Sequence, residues 1–184
     1  LLKKQYYGRL ILEFERLILR RWVLDDVESL VSGLNNMNVA RNFGTGYPYT
    51  SEDAKQYIKD AIFNKKEKFA IIKKDNNALI GGCGIHKKNG IVSTSLWIRE
   101  DCQGLGYGTE AYRILVKYCF NTNDIMEITN NFFPDNIATK KMQEKVGAYF
   151  PLEGSEYNEA NIKPSIRKKR RGILTRQNFY KRLK

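Results

Sequence analysis

Gln103-Gly104-Leu105-Gly106-Tyr107-Gly108-Thr109 is the stretch on which the reading of this chain turns. It follows an apolar run, Ile91 to Ile98, with the character of a strand, and precedes Glu110 to Phe120, with the character of a helix. A glycine-rich turn at that junction exposes unpaired backbone N–H groups at the positive end of a helix dipole, which suits a phosphate or pyrophosphate. Glycine admits both the turn dihedrals and close approach of an anion. A plain strand-to-helix turn is the competing reading. Two better-known phosphate loops do not fit. A P-loop needs Lys followed by Ser or Thr after its last glycine, and Gly108 is followed by Thr109 and Glu110. A dinucleotide fingerprint needs a glycine where Thr109 stands, early in a βαβ unit.

Working outward, Phe69 to Ile72, a turn at Asp75-Asn76-Asn77 and Ala78 to His86 predict a hairpin. Ile91 to Ile98 is its third, meandering strand after a turn at Lys87 to Gly90. Gly81, Gly82 and Gly84 predict close packing under something bulky. Beyond the loop, Ala111, Leu115, Tyr118 and Cys119 share a helix face, and Asp124 to Thr129 reads as a strand. Pro134-Asp135-Asn136 opens a helix to about Val146, with Gly147 as its C′ residue, and Gly172 to Arg176 is a last strand. Upstream, Leu10, Leu12 and Phe14 alternate, as do Leu17 and Leu19, predicting extended chain from Arg9 to Trp22. Asp25 and Glu28 form a candidate capping box before Val27, Leu30, Val31 and Leu34. Asn35 to Tyr49 reads as a polar and aromatic connection, and a second helix starts at Thr50 or Ser51, burying Ala54, Tyr57, Ile58, Ala61 and Ile62. The expectation is an α+β fold: a mixed sheet with helices on its faces.

A chain of 184 residues with 42% apolar content is long enough for one domain with a full core. No apolar run approaches the ~20 residues of a membrane span, and no secretion signal is visible. Cys83, Cys102 and Cys119 lack metal spacing and read as buried thiols in a reducing, cytoplasmic setting; a single histidine argues against a zinc site. The net charge of +12 is unevenly placed: residues 163–184 hold ten Lys or Arg and no acid, leaving 22 basic against 20 acidic side chains elsewhere. This segment, centred on Arg167 to Arg171, reads either as a solvated or edge-guarding element or as a contact for RNA or the ribosome.

With this element order, the chain resembles the GNAT superfamily of acetyl-CoA-dependent N-acetyltransferases, whose loop has Arg or Gln, two residues, Gly, one residue, and Gly or Ala. Here it is Gln103-x-x-Gly106-x-Gly108. Within the superfamily it looks most like the branch that acetylates ribosomal-protein N-termini. Four stretches carry that likeness: Glu15 to Arg20, Leu96-Trp97-Ile98, Gly106 to Ala111, and Asn136 to Thr139 with Glu144 to Gly147 behind them. The resemblance spans about residues 15–150, so residues 1–14 are expected to be an N-terminal extension and 15–184 a single GNAT domain, its mostly antiparallel central sheet flanked by helices on both faces.

The resemblance implies a donor site for acetyl-CoA, with no metal. Gln103, Gly104, Leu105, Gly106, Tyr107, Gly108 and Thr109 would hold the pyrophosphate. Leu96, Trp97 and Ile98 would pair with the pantetheine arm, one N–H turning to the thioester carbonyl, and Asn136 would bond the pantetheine or cap its helix. Thr139 would stand near the sulfur or face the core. Relatives commonly carry Glu near Ser93 or Thr94, or Tyr where Gln143 stands, and both are absent. That leaves Thr139, Ser93 and His86, acting through water, as catalytic candidates. Phe43, Tyr47 and Tyr49 are candidate acceptor-site residues, or a hydrophobic lid. The reaction expected is attack of a primary amine, a protein N-terminus or a small amine, on the thioester, in a monomer or homodimer. The alternatives are a non-catalytic acyl-CoA-binding protein and an RNA- or ribosome-associated protein acting through its basic C-terminus.

Overall fold

The computed structural model describes residues 2–6, 9–64, 66–122, 124–151 and 169–183. Residues 163–168, which include Arg167 and Lys168 of the basic cluster's centre, lie outside them. Among the described residues, six antiparallel strands form the main sheet in sequence order: β1 (Leu2–Tyr6), β2 (Arg9–Glu13), β3 (Leu17–Arg21), β4 (Lys68–Lys73), β5 (Leu79–Lys88) and β6 (Ile91–Ile98). Between β3 and β4 run α1 (Val27–Leu34), α2 (Met37–Phe43) and α3 (Ser51–Phe63). After β6 come α4 (Tyr107–Thr122), β7 (Glu127–Phe132), α5 (Ile137–Lys145), β8 (Arg170–Thr175) and α6 (Arg176–Lys181). β7 and β8 make a separate antiparallel pair. Both β1 and β2 are thus part of the sheet, pairing through β2 onto β3.

Period-2 alternation sorts the strands' side chains onto two cores. Leu17 and Leu19 of β3, Phe69 and Ile71 of β4, and Ile98 of β6 join Ala111, Leu115, Val116 and Cys119 of α4. Ala70 and Ile72 of β4 and Trp97 of β6 point the other way, with Trp22, to Leu30 and Leu34 of α1 and Ala54 and Ile58 of α3. The glycines of β5 fulfil the packing expectation. A Cβ on Gly82 would lie 2.7 Å from Trp97 Nε1 and 2.8 Å from Trp22 Cζ2, and one on Gly33 of α1 would lie 2.6 Å from the Trp97 ring. The two indoles occupy the space that side chains at these positions would need.

Local signals were mostly honoured. Thr50 caps α3, and Asp53 reciprocates with a 2.9 Å bond from the Thr50 N–H. Gly147 ends α5 at φ +98. Asn89 (φ +50) and Gly90 (φ +75) make the two-residue turn between β5 and β6, where Lys88 faces Ile91. Three expectations need correction. No Asp25–Glu28 box opens α1: a 3-10 turn, Leu24–Asp26, leads into it, and the Asp26 carboxylate accepts from Val23 N–H at the start of that turn at 3.0 Å and is gripped by both terminal nitrogens of Arg20 at 2.7 and 2.8 Å. The 35–49 connection contains α2, capped by Asn36 and closed by Gly44 at φ +83. Ile62 is exposed because the buried stripe of α3 is Ala54, Ile58 and Ala61.

Candidate functional site

Among the described residues the main sheet stops at β6, and β7 does not continue it as a ladder. A polar wedge stands between them. The buried Asn130 of β7 accepts from Thr94 N–H at 2.7 Å, exchanges bonds with Thr94 Oγ1, and meets the buried Tyr112 hydroxyl at 2.6 Å. Burial raises the Tyr112 phenol well above its ordinary value, so it stays a neutral hydrogen-bonding group. Beyond this wedge the two strands open around a cleft.

The β6 backbone explains what the cleft offers. Arg99 N–H, just past the strand, turns to Ile80 of β5, whereas Thr94 N–H and Ile98 C=O turn to the other side, toward Asn130 and Gln103. By alternation, the Leu96 N–H and C=O share that open edge. Gln103 donates from Nε2 to Ile98 O at 3.0 Å, tying the glycine loop to the strand end. Gly104 (φ +77) and Gly106 (φ +84) both adopt the left-handed conformation that the loop requires. The loop delivers the first turn of the 16-residue α4, with its unpaired N–H groups, to the cleft.

A cleft of about 350 Å³ lies over this edge. It brings together Leu96, Trp97, Ile98, Gln103, Gly104, Gly106, Gly108, Thr109, Asn136, Thr139 and Phe43, all anticipated from sequence. Asn136 caps α5 by accepting from Thr139 N–H at 3.1 Å. The cap uses its side-chain oxygen only, so capping and lining the cleft are compatible. Lys141 and Lys145 of α5 and Asn38 and Asn42 of α2 complete the wall.

A smaller cavity of about 140 Å³ shares Asn42, Phe43, Leu96, Asn136, Thr139 and Met142 with the cleft. Thr94, Ser95, Tyr112, Asn130, Asn131 and Gln143 belong to this cavity alone. No carboxylate lines either space among the described residues. Phe43 leans over the Trp97 ring with centroids 6.3 Å apart.

Other anticipated residues lie elsewhere. Leu105 is exposed and turns its carbonyl to Arg16; Tyr107 lies beneath that guanidinium at 4.5 Å. Tyr49 is a core residue whose backbone is held at both ends by Asn35, with burial and then Asp53 pushing its phenol up to about 12. Tyr47 is exposed and Ser93 faces His86 across the ladder; neither lines the two spaces. His86 does not line them either, but its Nε2 lies 2.8 Å from Ser95 Oγ.

Sequence reasoning missed the loop's buttress. Arg16 donates to both carboxylate oxygens of buried Glu110, through N–H and Nε at 2.8 Å each, and to Leu105 O at 3.1 Å. An acid in the first turn after a glycine loop was the available signal; its partner 94 residues upstream was not locatable. The missed Asn130 wedge carries no motif.

Comparisons with known proteins agree with this architecture. Residues 16–149 match the acetyltransferase (GNAT) domain family. An uncharacterized N-acetyltransferase of Bacillus subtilis, YnaD, is 27% identical over 135 residues, 72% of this chain and 79% of that protein. The crystal structure of a GNAT-family acetyltransferase from Bacillus anthracis superposes with a TM-score of 0.76 at 22% identity, covering 91% of this chain and 99% of the other. A putative ribosomal-protein-serine acetyltransferase from Vibrio cholerae gives 0.73 at 19% identity, covering 90% and 97%. With the family match spanning most of the chain and the fold shared over 91% of it, this protein belongs to the GNAT family of acetyltransferases.

Proposed function

We propose that the protein transfers the acetyl group of acetyl-CoA to a weakly basic primary amine, best represented by the α-amino group of a peptide. The observation that carries the donor half is the convergence of three backbone features on one cleft: the left-handed glycine loop, the start of α4, and the open edge of β6. The pyrophosphate sits on the N–H groups of the loop, with Lys141 and Lys145 adding positive charge. The pantetheine extends along Leu96 to Ile98, and the Leu96 N–H faces the thioester oxygen. Asn136 and Thr139 flank the sulfur end, where the two spaces meet.

The acceptor half rests on the chemistry of the smaller cavity. Its described lining is carboxamides, hydroxyls, aromatic rings, Gly44, Leu96, Met142 and Lys169, without a carboxylate. Such a pocket gives no ion pair to an alkylammonium, and an amine must be neutral to attack. An α-amino group has a pKa of about 7.7–8.0, against about 10.4 for a lysine-type amine. At pH 7 its neutral fraction is therefore roughly 300-fold larger. Phe43, between both spaces, covers the acceptor.

The test is release of free thiol from acetyl-CoA with three acceptors: a lysine-free peptide with a free α-amine, an Nα-blocked peptide containing lysine, and spermidine. Preferential turnover of the first is expected. Preference for spermidine would overturn the acceptor assignment. Binding of acetyl-CoA with no thiol release for any acceptor would make the protein an acyl-CoA binder instead.

A further inference from the structure

The amine that attacks the thioester must lose a proton, and no described carboxylate lies in the cavity to take it. We propose that Ser95 and His86 form a relay that carries this proton from the acceptor cavity to solvent; the relay rests on the N-acetyltransferase reading above. Ser95 stands on β6 beside Leu96 and lines the smaller cavity. Its Oγ lies 2.8 Å from His86 Nε2 on the neighbouring strand β5. Alternation places both residues on the face of the sheet that carries Trp97, the face over which Phe43 leans. That is the side from which an acceptor meets a donor lying along the open edge of β6. His86 itself is exposed, so a proton reaching its ring passes on to water.

The surroundings keep the imidazole available as a base. Partial burial, then Lys68 and Lys66, hold its pKa below the ordinary 6.5, so it is neutral at pH 7. The other charged groups beside it, Lys87 and Glu67, pair with one another at 3.4 Å. With Nδ1 carrying the ring proton, Nε2 accepts from the Ser95 hydroxyl. In the reaction the amine nitrogen bonds to the acetyl carbon as the carbon–sulfur bond breaks. The amine proton passes to Ser95 Oγ while the serine proton passes to His86 Nε2, and the imidazolium returns it to water. Coenzyme A leaves as the thiolate. A weak base of this kind suits an α-amine better than a lysine-type amine, whose proton is held more tightly.

The relay is tested with His86→Gln, His86→Ala and Ser95→Ala, using the lysine-free peptide and saturating acetyl-CoA. Each substitution is expected to lower kcat about 100-fold, with the double variant no worse than either single one and the KM for acetyl-CoA unchanged. Wild-type kcat falls as pH drops through the histidine's range, below 6.5; the variants lose that acid limb, and added imidazole restores His86→Ala in part. Wild-type kcat in His86→Gln overturns the relay, as does a loss of rate with the acid limb intact and no imidazole rescue, which marks a structural role. Absence of thiol release by the wild-type protein with every acceptor overturns the function reading itself, and the relay with it.

Discussion

The larger cleft and the smaller cavity share a wall but are made of different material. Backbone features distinguish the cleft: two left-handed glycines, the N–H groups of α4, and the edge of β6 that no described strand pairs, with side chains of α2 and α5 as its walls. The cavity is made from side chains, among them Asn130, Asn131, Gln143, Ser95 and Phe43. A backbone-built site tolerates substitution of most of its residues but not a change in its dihedrals. A side-chain-built site is retuned by any one of its residues. On the proposed assignment, the cleft, as donor half, should therefore fail through conformation and the cavity, as acceptor half, through composition.

Asn130→Leu strikes the joint between the halves. It removes Asn130's bonds to Thr94 and Tyr112 and leaves the Tyr112 hydroxyl and Thr94 N–H with fewer partners. We expect a stability loss of about 3 kcal/mol by denaturant unfolding, with both substrates' KM values raised. If only one KM moves, the halves are more independent than their shared wedge implies. Glu110→Gln comes next. It strips the charge from the Arg16 buttress of the loop, and should cost about 1–2 kcal/mol, given that Arg16 is half exposed. Coenzyme A affinity falls by calorimetry while the KM of a peptide acceptor holds.

Gly106→Ala tests conformation alone. A Cβ there would sit 3.4 Å from an Arg16 nitrogen, a modest crowding, but φ +84 costs an L-residue about 1–2 kcal/mol. Roughly tenfold weaker binding of coenzyme A is expected. An unchanged Kd would show that the loop's conformation is not what binds. The smallest effect is expected from Lys141→Ala, about 0.5–1 kcal/mol in coenzyme A binding, and lost in high salt. Phe43→Ala is its acceptor-side counterpart: a raised peptide KM, with coenzyme A binding changed less, although the ring borders both spaces.

The same contrast explains what could be read in advance. The cleft's framework was legible because glycines at fixed spacing state a backbone conformation directly, and Ile91–Ile98 falls on the residues of β6 as anticipated. Asn136 was legible as a helix opener because a cap is a local bond. The cavity depends on side chains brought together by the closed fold: Asn130 meets Thr94 across 36 positions, and Ser95 of β6 lines the same space. α2 went unread although Asn36 and Gly44, a cap at each end, bracket it. The asparagine-rich start masked a helix held in place by Asn36 and Asn38 reaching Glu100. Tyr49 looked like a pocket residue because its neighbours are aromatic, yet Asn35 anchors it in the core.

The Asn89-Gly90 turn lies at the far end of the β5–β6 hairpin from the glycine loop, yet it governs what β6 presents. Adding one residue there without a compensating bulge would shift the pairing by one and send each side chain of β6 to the opposite face. Leu96 would then stand where Trp97 must fill the space above Gly82 and Gly33, and Ser95 would leave His86. Changes of turn length are in this sense quantised: a two-residue insertion preserves which face each side chain takes, and a one-residue insertion exchanges the two. A remote, solvent-facing turn thereby carries a reading frame for the chemistry.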